Sequence, residues 1–468
     1  MKITFLGAAG YVTGSKHLLE INNKKILLDC GLYQGRNEEA QKAKSHLSPK
    51  TKNLDAVILS HAHADHCGLL PLLVKKGFDK KIYATSATID IANLIMTDTA
   101  KILKSNYEYS LNFKNHNEKI PLPLYTENDV KLTSRLFSAV PYFRNSKIWK
   151  NLDDTIKFKF CDAGHILGSA VTIINYTENL NSKTLAYTGD LGNTNVPILP
   201  DPENISDSVD VLISECTYGD KNHRPLEEAI THLKDIILEA VKNKSRIIVP
   251  AFALGRTQEL IYLLHKLHND GEIPAFPIYV DSPLSKSITE TFGKHSQDFD
   301  QETWKDFINN HESPFSFTNL NYTRTVEESK ALNGVSGPLM IIASSGMLEG
   351  GRILHHLENN ISNPDSIILL TGYQAEGTLG HHLFSGEKKV NIYGKSYPVE
   401  AKIINFDEFS AHADQTGLLN YISKIKGLKK LFLVHSESHQ AEIFSQLIKE
   451  KFPKLEVFIP KLDETFEV

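Results

Sequence analysis

Residues 61–66, HAHADH, constrain this chain more than any other segment. They follow AVILS at 56–60, an apolar run that reads as a buried strand, and they lead into an apolar helix from about Gly68. Alternation by two places His61 and His63 on one side of the extended turn, so the adjacent Asp65 and His66 can aim at a second point. Imidazole nitrogens and a carboxylate suit zinc, and three such ligands with one open position make a catalytic site. A plainer reading is a helix start, with Asp65 as cap and the histidines solvated. Four ligand-type residues within six positions at a strand end favour the metal.

Further ligands must come from elsewhere in the chain. His165 in DAGHILGSA and Asp190 in YTGDLG each lie in a glycine-flanked turn beside a predicted strand. Taken singly, one is as ordinary as a core histidine and the other as a turn aspartate. Together they complete a count, because two metals need about eight coordination positions and a bridging Asp190 fills two. His412, in FSAHADQTG, is the seventh ligand candidate.

The segments around these residues are of two kinds. KITFLGAAG and HLLEINNKKILLDCG read as strands of an antiparallel meander with an Asn-Asn turn. Residues 81–150 read mostly as helix, broken by Pro121 and Pro123. Short strands return from Ile156 to about Ile213. Near Tyr218 the pattern becomes helix, strand RIIVPAF, helix, strand FPIYVDSP, which is βαβ-like and predicts a separate parallel sheet. A polar helical stretch covers about 284–333, then strands, a helix and KKLFLVHS follow. At 468 residues two or more cores are expected.

A net charge of −5 argues against a protein that coats nucleic acid through a global positive field. It leaves a nuclease open, since bound cations supply charge locally. The four cysteines, Cys30, Cys67, Cys161 and Cys216, contain no CxxC pair and support neither a disulfide framework nor a zinc ribbon. MKITFLGAAG is too short an apolar run for a signal peptide, and no stretch reaches the roughly 18 apolar residues of a membrane span, so a cytoplasmic protein with no membrane partner is expected.

The residues resemble the metallo-β-lactamase superfamily and, within it, the β-CASP nucleases, which include the pre-mRNA 3′-end cleavage endonuclease and its bacterial and archaeal relatives. LLDCG with Asp29, HAHADH, His165 and Asp190 match the first four motifs. ECTYGD with Glu215, GTLGHHL with His382 and FSAHAD with His412 match the three β-CASP motifs. IVPAFALGRTQELIYLL, VDSPLS and SSGMLEGGRILHHL match further blocks, so the similarity covers nearly the whole chain. It implies an α/β fold: a metallo-β-lactamase αββα sandwich with an inserted β-CASP domain whose parallel sheet is flanked by helices. The expected boundaries are 1–218 for the first part of the sandwich, 219–371 for the insert and 372–468 for the return.

The same resemblance implies two zinc ions per chain, one held by His61, His63 and His165 and the other by Asp65, His66 and His412. Asp190 bridges them and Asp29 steadies the ligand turn from behind. The expected reaction is hydrolysis of RNA phosphodiester bonds, endonucleolytic on single strands, in RNA processing or decay; a homodimer is the other expected association. Two metals about 3.5 to 4 Å apart lower the pKa of a shared water and clamp a phosphate. His382, bonded to Glu215, is expected to protonate the leaving oxygen, with His381 as the alternative. Ser344, Ser345 and Gly346 are expected at a phosphate oxygen, and Arg256 at the RNA backbone. Ser436 in LVHSESH stands where relatives commonly show glycine, and no role is assigned to His435. The rival readings are a DNA nuclease of the same superfamily, a small-molecule hydrolase and an inactive binding subunit.

Overall fold

The chain opens with three antiparallel strands, Lys2–Phe5, His17–Ile21 and Lys24–Leu28. The tight turn between the last two is Asn22-Asn23, whose φ angles of 48° and 65° are the left-handed pair that a two-residue hairpin needs to match strand twist. The computed structural model describes residues 1–33, 46–113, 121–372, 374, 377–406 and 410–468. These form two compact units, one of residues 1–194, 201–222 and 412–468, the other of 195–200 and 223–411.

The first unit holds two seven-stranded sheets. One runs in the order Thr465–Glu467, Lys2–Phe5, His17–Ile21, Lys24–Leu28, Ala56–Ile58, Lys81–Ala84, Phe137–Ala139. The other runs Glu456–Phe458, Lys430–Val434, Val211–Glu215, Asn181–Tyr187, Ala170–Glu178, Ile156–Asp162, Lys150–Asn151. Alternate residues of the second sheet serve different cores. Leu185, Tyr187, Val211 and Ile213 join Phe5, Leu19 and Ile58 between the sheets. Ala186 and Leu212 face outward onto the helices Gln415–Ser423 and Ser438–Lys451 through Leu418, Ile422, Phe444 and Ile448. Both faces are buried, which is why these strands read as unbroken apolar runs. Each fully buried leucine, isoleucine or phenylalanine among them contributes roughly 1.5–3 kcal/mol of burial.

Residues 81–150 do contain the helices Ser86–Phe113 and Glu127–Ser134, but also the strands Lys81–Ala84 and Phe137–Ala139, which extend the first sheet. Strands of three or four residues show too little alternation to be seen beside a 28-residue helix.

The second unit is built on a six-stranded sheet, all parallel, ordered Leu320–Tyr322, Ile278–Val280, Leu339–Ala343, Arg246–Pro250, Ser366–Leu370, Lys402–Asn405. Leu320–Tyr322 lies inside the stretch expected to be helical. The last strand corrects the expected return at 372: Lys402–Asn405 pairs with Ser366–Leu370, and the chain stays in this unit to Ala411. A four-residue strand carries no local signal of which sheet it will join. No described helix is long and apolar enough to cross a membrane.

Candidate metal centre

All seven expected ligands lie in the first unit. The strand Ala56–Ile58 delivers His61 into the turn, and His63 is the N-cap residue of the short helix Ala64–Cys67, with no side-chain capping bond. Asp65 and His66 stand on that helix, so Asp65 is not the cap. His165 follows the strand Ile156–Asp162, and Asp190 follows Asn181–Tyr187.

His61, His63, His165 and Asp190 converge as one donor set. His63 Nδ1 lies 3.1 Å from His61 Nε2 and 3.2 Å from His165 Nε2. Asp190 Oδ2 lies 3.3 Å from His61 Nε2 and 3.6 Å from His165 Nε2. A tetrahedral zinc with nitrogens at about 2.0–2.1 Å puts its ligand atoms about 3.3–3.4 Å apart. Three imidazole nitrogens facing one another cannot all be satisfied by each other's hydrogens, whereas one cation satisfies them all. Burial, then the charge of His61, pushes His63 down to about 3. His61 and His165 are also lowered, by burial first and neighbouring histidines next. These are neutral imidazoles, the form that binds metal.

A second set comprises Asp65, His66 and His435. His435 Nε2 is 3.2 Å from Asp65 Oδ2 and 3.7 Å from Asp190 Oδ1; His66 Nε2 is 3.2 Å from the same Asp190 oxygen. That oxygen is buried and accepts no hydrogen bond, although two imidazoles lie beside it. An orphaned carboxylate oxygen between two nitrogens fits a second cation, with Asp190 the residue that the two sets share. Burial opposes charge on Asp65 and Asp190, yet the surrounding histidines hold both carboxyls below the usual range. The sequence had assigned His412 to this position. The structure gives it to His435, which sequence reasoning left without a role.

His412 is turned elsewhere. Its Nδ1 lies 3.0 Å from Glu215 Oε1, and a third group of Asp190, Glu215 and His412 results. Glu215 is fully buried and already saturated. Oε1 also accepts from the Leu191 N–H at 2.6 Å, while Oε2 accepts from the Thr217 N–H at 3.2 Å and the Thr217 hydroxyl at 2.5 Å. A carboxylate has about four acceptor positions, so none remains for a metal. Burial opposes charging of His412, but the Glu215 charge and hydrogen bond outweigh it and raise the imidazole to about 9. The expected partnership of Glu215 with His382 is therefore corrected: the carboxylate serves His412.

Asp29 stands behind the ligand turn. Its carboxylate accepts from the Ser60 N–H, the Ser60 hydroxyl, His66 Nδ1 and the Tyr187 hydroxyl, each at 2.7 Å. With Ser60's hydrogen given to Asp29, the Ser60 oxygen 3.0 Å from His61 Nδ1 can only accept. Both histidines are then protonated on Nδ1, which leaves Nε2 facing the donor sets.

Three family matches cover this architecture: the metallo-beta-lactamase superfamily over residues 14–251, the Beta-Casp domain over 257–383 and a Zn-dependent metallo-hydrolase RNA specificity domain over 396–460. A ribonuclease of Thermus thermophilus is 33% identical over 96% of each chain. This chain belongs to the metallo-β-lactamase superfamily, in its β-CASP branch. An RNase J-like protein of Methanocaldococcus jannaschii is 32% identical over 94% of each chain, and Integrator complex subunit 11 of Danio rerio is 29% identical over 99% of this chain and 74% of its own. A crystal structure of a protein of unknown function from Enterococcus faecalis shares the fold, with a TM-score of 0.53, 12% identity and 99% coverage of each chain. As a β-CASP protein the chain is a metal-dependent hydrolase.

The other expected site residues belong to the second, β-CASP unit. His382 Nδ1 is 2.5 Å from Glu387 Oε1, and His381 Nδ1 faces the Gln374 carbonyl at 3.3 Å. Ser344 Oγ lies 3.0 Å from Ser282 Oγ, and Ser345 Oγ accepts from the Glu349 N–H at 3.0 Å. Gly346 packs against Phe252, whose ring leaves a Cβ only 2.8 Å. Arg256 is buried and paired with Glu259 at 3.0 Å.

Proposed function

We propose that this chain is a two-zinc ribonuclease that cuts single-stranded RNA internally. The observation that carries the reading is the pair of donor sets joined by Asp190, with the Glu215–His412 pair beside them. His61, His63, His165 and Asp190 would hold one ion, and Asp65, His66, His435 and Asp190 the other. Bound there, divalent ions acidify water and neutralise phosphate charge. The chain's own residues supply the rest. Asp29 and Ser60 hold His61 and His66 in the ligating tautomer, and Glu215 holds His412 by Nδ1, leaving Nε2 to carry a proton towards a leaving ribose oxygen. RNA as substrate is supported by the ribonuclease and RNase J-like relatives and by the RNA specificity match.

The test is incubation of the purified protein with matched end-labelled RNA and DNA oligonucleotides, with and without a chelator. Internal RNA products that vanish on chelation are expected. Preferential cleavage of DNA, or RNA cleavage indifferent to chelation, contradicts the reading.

A further inference from the structure

The arrangement behind the first ligand turn occurs a second time, through Thr217, a residue to which the reading above gives no task. Around His61 it is carboxylate, hydroxyl, imidazole: Asp29 Oδ2 to Ser60 Oγ at 2.7 Å, and Ser60 Oγ to His61 Nδ1 at 3.0 Å. Around His435 it is Glu215 Oε2 to Thr217 Oγ1 at 2.5 Å, and Thr217 Oγ1 to His435 Nδ1 at 3.0 Å. Each carboxylate also bonds a further histidine directly, Asp29 to His66 Nδ1 and Glu215 to His412 Nδ1.

We infer that Thr217 is a positioning residue: its hydroxyl fixes His435 in the metal-ligating tautomer and ties that histidine to the carboxylate that holds His412. The inference rests on the two-metal reading above. The hydroxyl has one hydrogen and three oxygen or nitrogen neighbours, Glu215 Oε2, His435 Nδ1 and the His435 carbonyl oxygen at 3.0 Å. The shortest contact is to the carboxylate, and an oxygen pair at 2.5 Å requires a hydrogen between them. That hydrogen is Thr217's, because a carboxylate bonded to two N–H groups and an imidazole is acceptor only. The Thr217 oxygen is then left as an acceptor towards His435, so Nδ1 carries the ring proton and Nε2, 3.2 Å from Asp65 Oδ2, carries the lone pair.

The fold brings these groups together through one register. Val211–Glu215 and Lys430–Val434 are parallel neighbours with Glu215 opposite Val434, so the residues just beyond both strand ends meet. Thr217 is buried, which keeps water from replacing its hydroxyl.

Titration of the metal-free protein with zinc, read as bound ions per chain, tests this without reference to catalysis. Thr217→Val keeps the shape and removes the hydroxyl. It is expected to weaken the second ion's binding about 10- to 100-fold and leave the first ion's unchanged. Thr217→Ser, which keeps the hydroxyl, is expected to bind both ions as the parent does, and it remains informative through a comparison with Thr217→Ala if the valine variant fails to fold. Equal affinity for the second ion in the parent and in the variants without the hydroxyl overturns the role of Thr217 while the two-metal reading stands. A parent that binds fewer than two ions overturns that reading, and this inference with it.

Discussion

His412 Nδ1 lies 3.0 Å from a carboxylate oxygen of Glu215 whose other hydrogen bonds are all internal. That pairing gives His412 a partner that holds its proton, and gives Glu215 no capacity left for a cation. Glu215→Gln and His412→Ala are each expected to slow RNA cleavage by roughly 10²–10⁴-fold. Single-turnover rates measured beside bound-zinc content check this, with the metal content of His412→Ala at the parent level.

Two glycines let ligand turns approach closer than any side chain allows. A Cβ on Gly31 would fall 1.6 Å from the Asp65 carbonyl oxygen, and one on Gly192 would fall 1.9 Å from the Gly164 carbonyl oxygen beside His165. Gly31→Ala is expected to displace Asp65 and His66, and Gly192→Ala to displace His165. Lower zinc occupancy with retained helical and strand content, read by circular dichroism, is the expected result.

Removal of metal should also be visible as lost stability. A ligand that binds only the folded state stabilises it by about 2.7 kcal/mol at a hundred times its dissociation constant. Chelation is expected to lower the melting temperature, and zinc to restore it. His412→Ala should show the same shift on chelation as the parent.

In the second unit a buried carboxylate ties two helices, Val326–Ala331 and Arg352–Asn360, to the end of the strand Ile278–Val280. Asp281 is bonded to Arg352 Nη1 at 2.6 Å, His356 Nε2 at 2.6 Å, Ser329 Oγ at 2.5 Å and the Thr323 hydroxyl. Asp281→Ala leaves the Arg352 charge without this partner and is expected to cost roughly 3–5 kcal/mol. Burial opposes its charge, but the His356, Ser329, Thr323 and Arg352 hydrogen bonds together depress its pKa. Because the folded value lies below the unfolded one, this stability is fully present above the ordinary carboxylate range near pH 4 and is lost as pH falls through the folded value. Denaturant unfolding of parent and variant should therefore converge only in strong acid.

Local pattern carried much of this and failed where partners come from far along the chain. HAHADH is a compact signal because its turn follows one apolar strand, and the structure gathers its four ligand-type residues at the two donor sets. The partners of Asp29 have no local signal: its four hydrogen bonds reach Ser60, His66 and Tyr187, which only the packed sheets assemble. The resemblance implies His412 for the second ligand set, whereas the structure gathers His435 with Asp65 and His66. A better signal was present: His435 directly follows an apolar strand run, KKLFLV, as the first histidine cluster follows AVILS. What no local window shows is the pairing of Glu215 with Val434, 219 positions apart, which decides that His435 faces Asp65. The boundary at 371 failed for the same reason, since Lys402–Asn405 reveals its sheet only by pairing with Ser366–Leu370.

The division of labour between His412 and His435 is tested most directly by the zinc content of two single variants, measured after exhaustive exchange against a limiting free-zinc buffer. His435→Ala is expected to retain one ion per chain and His412→Ala to retain two. The reverse outcome, with His412→Ala losing an ion and His435→Ala keeping both, would contradict the assignment of His435 to the second metal and of His412 to the proton.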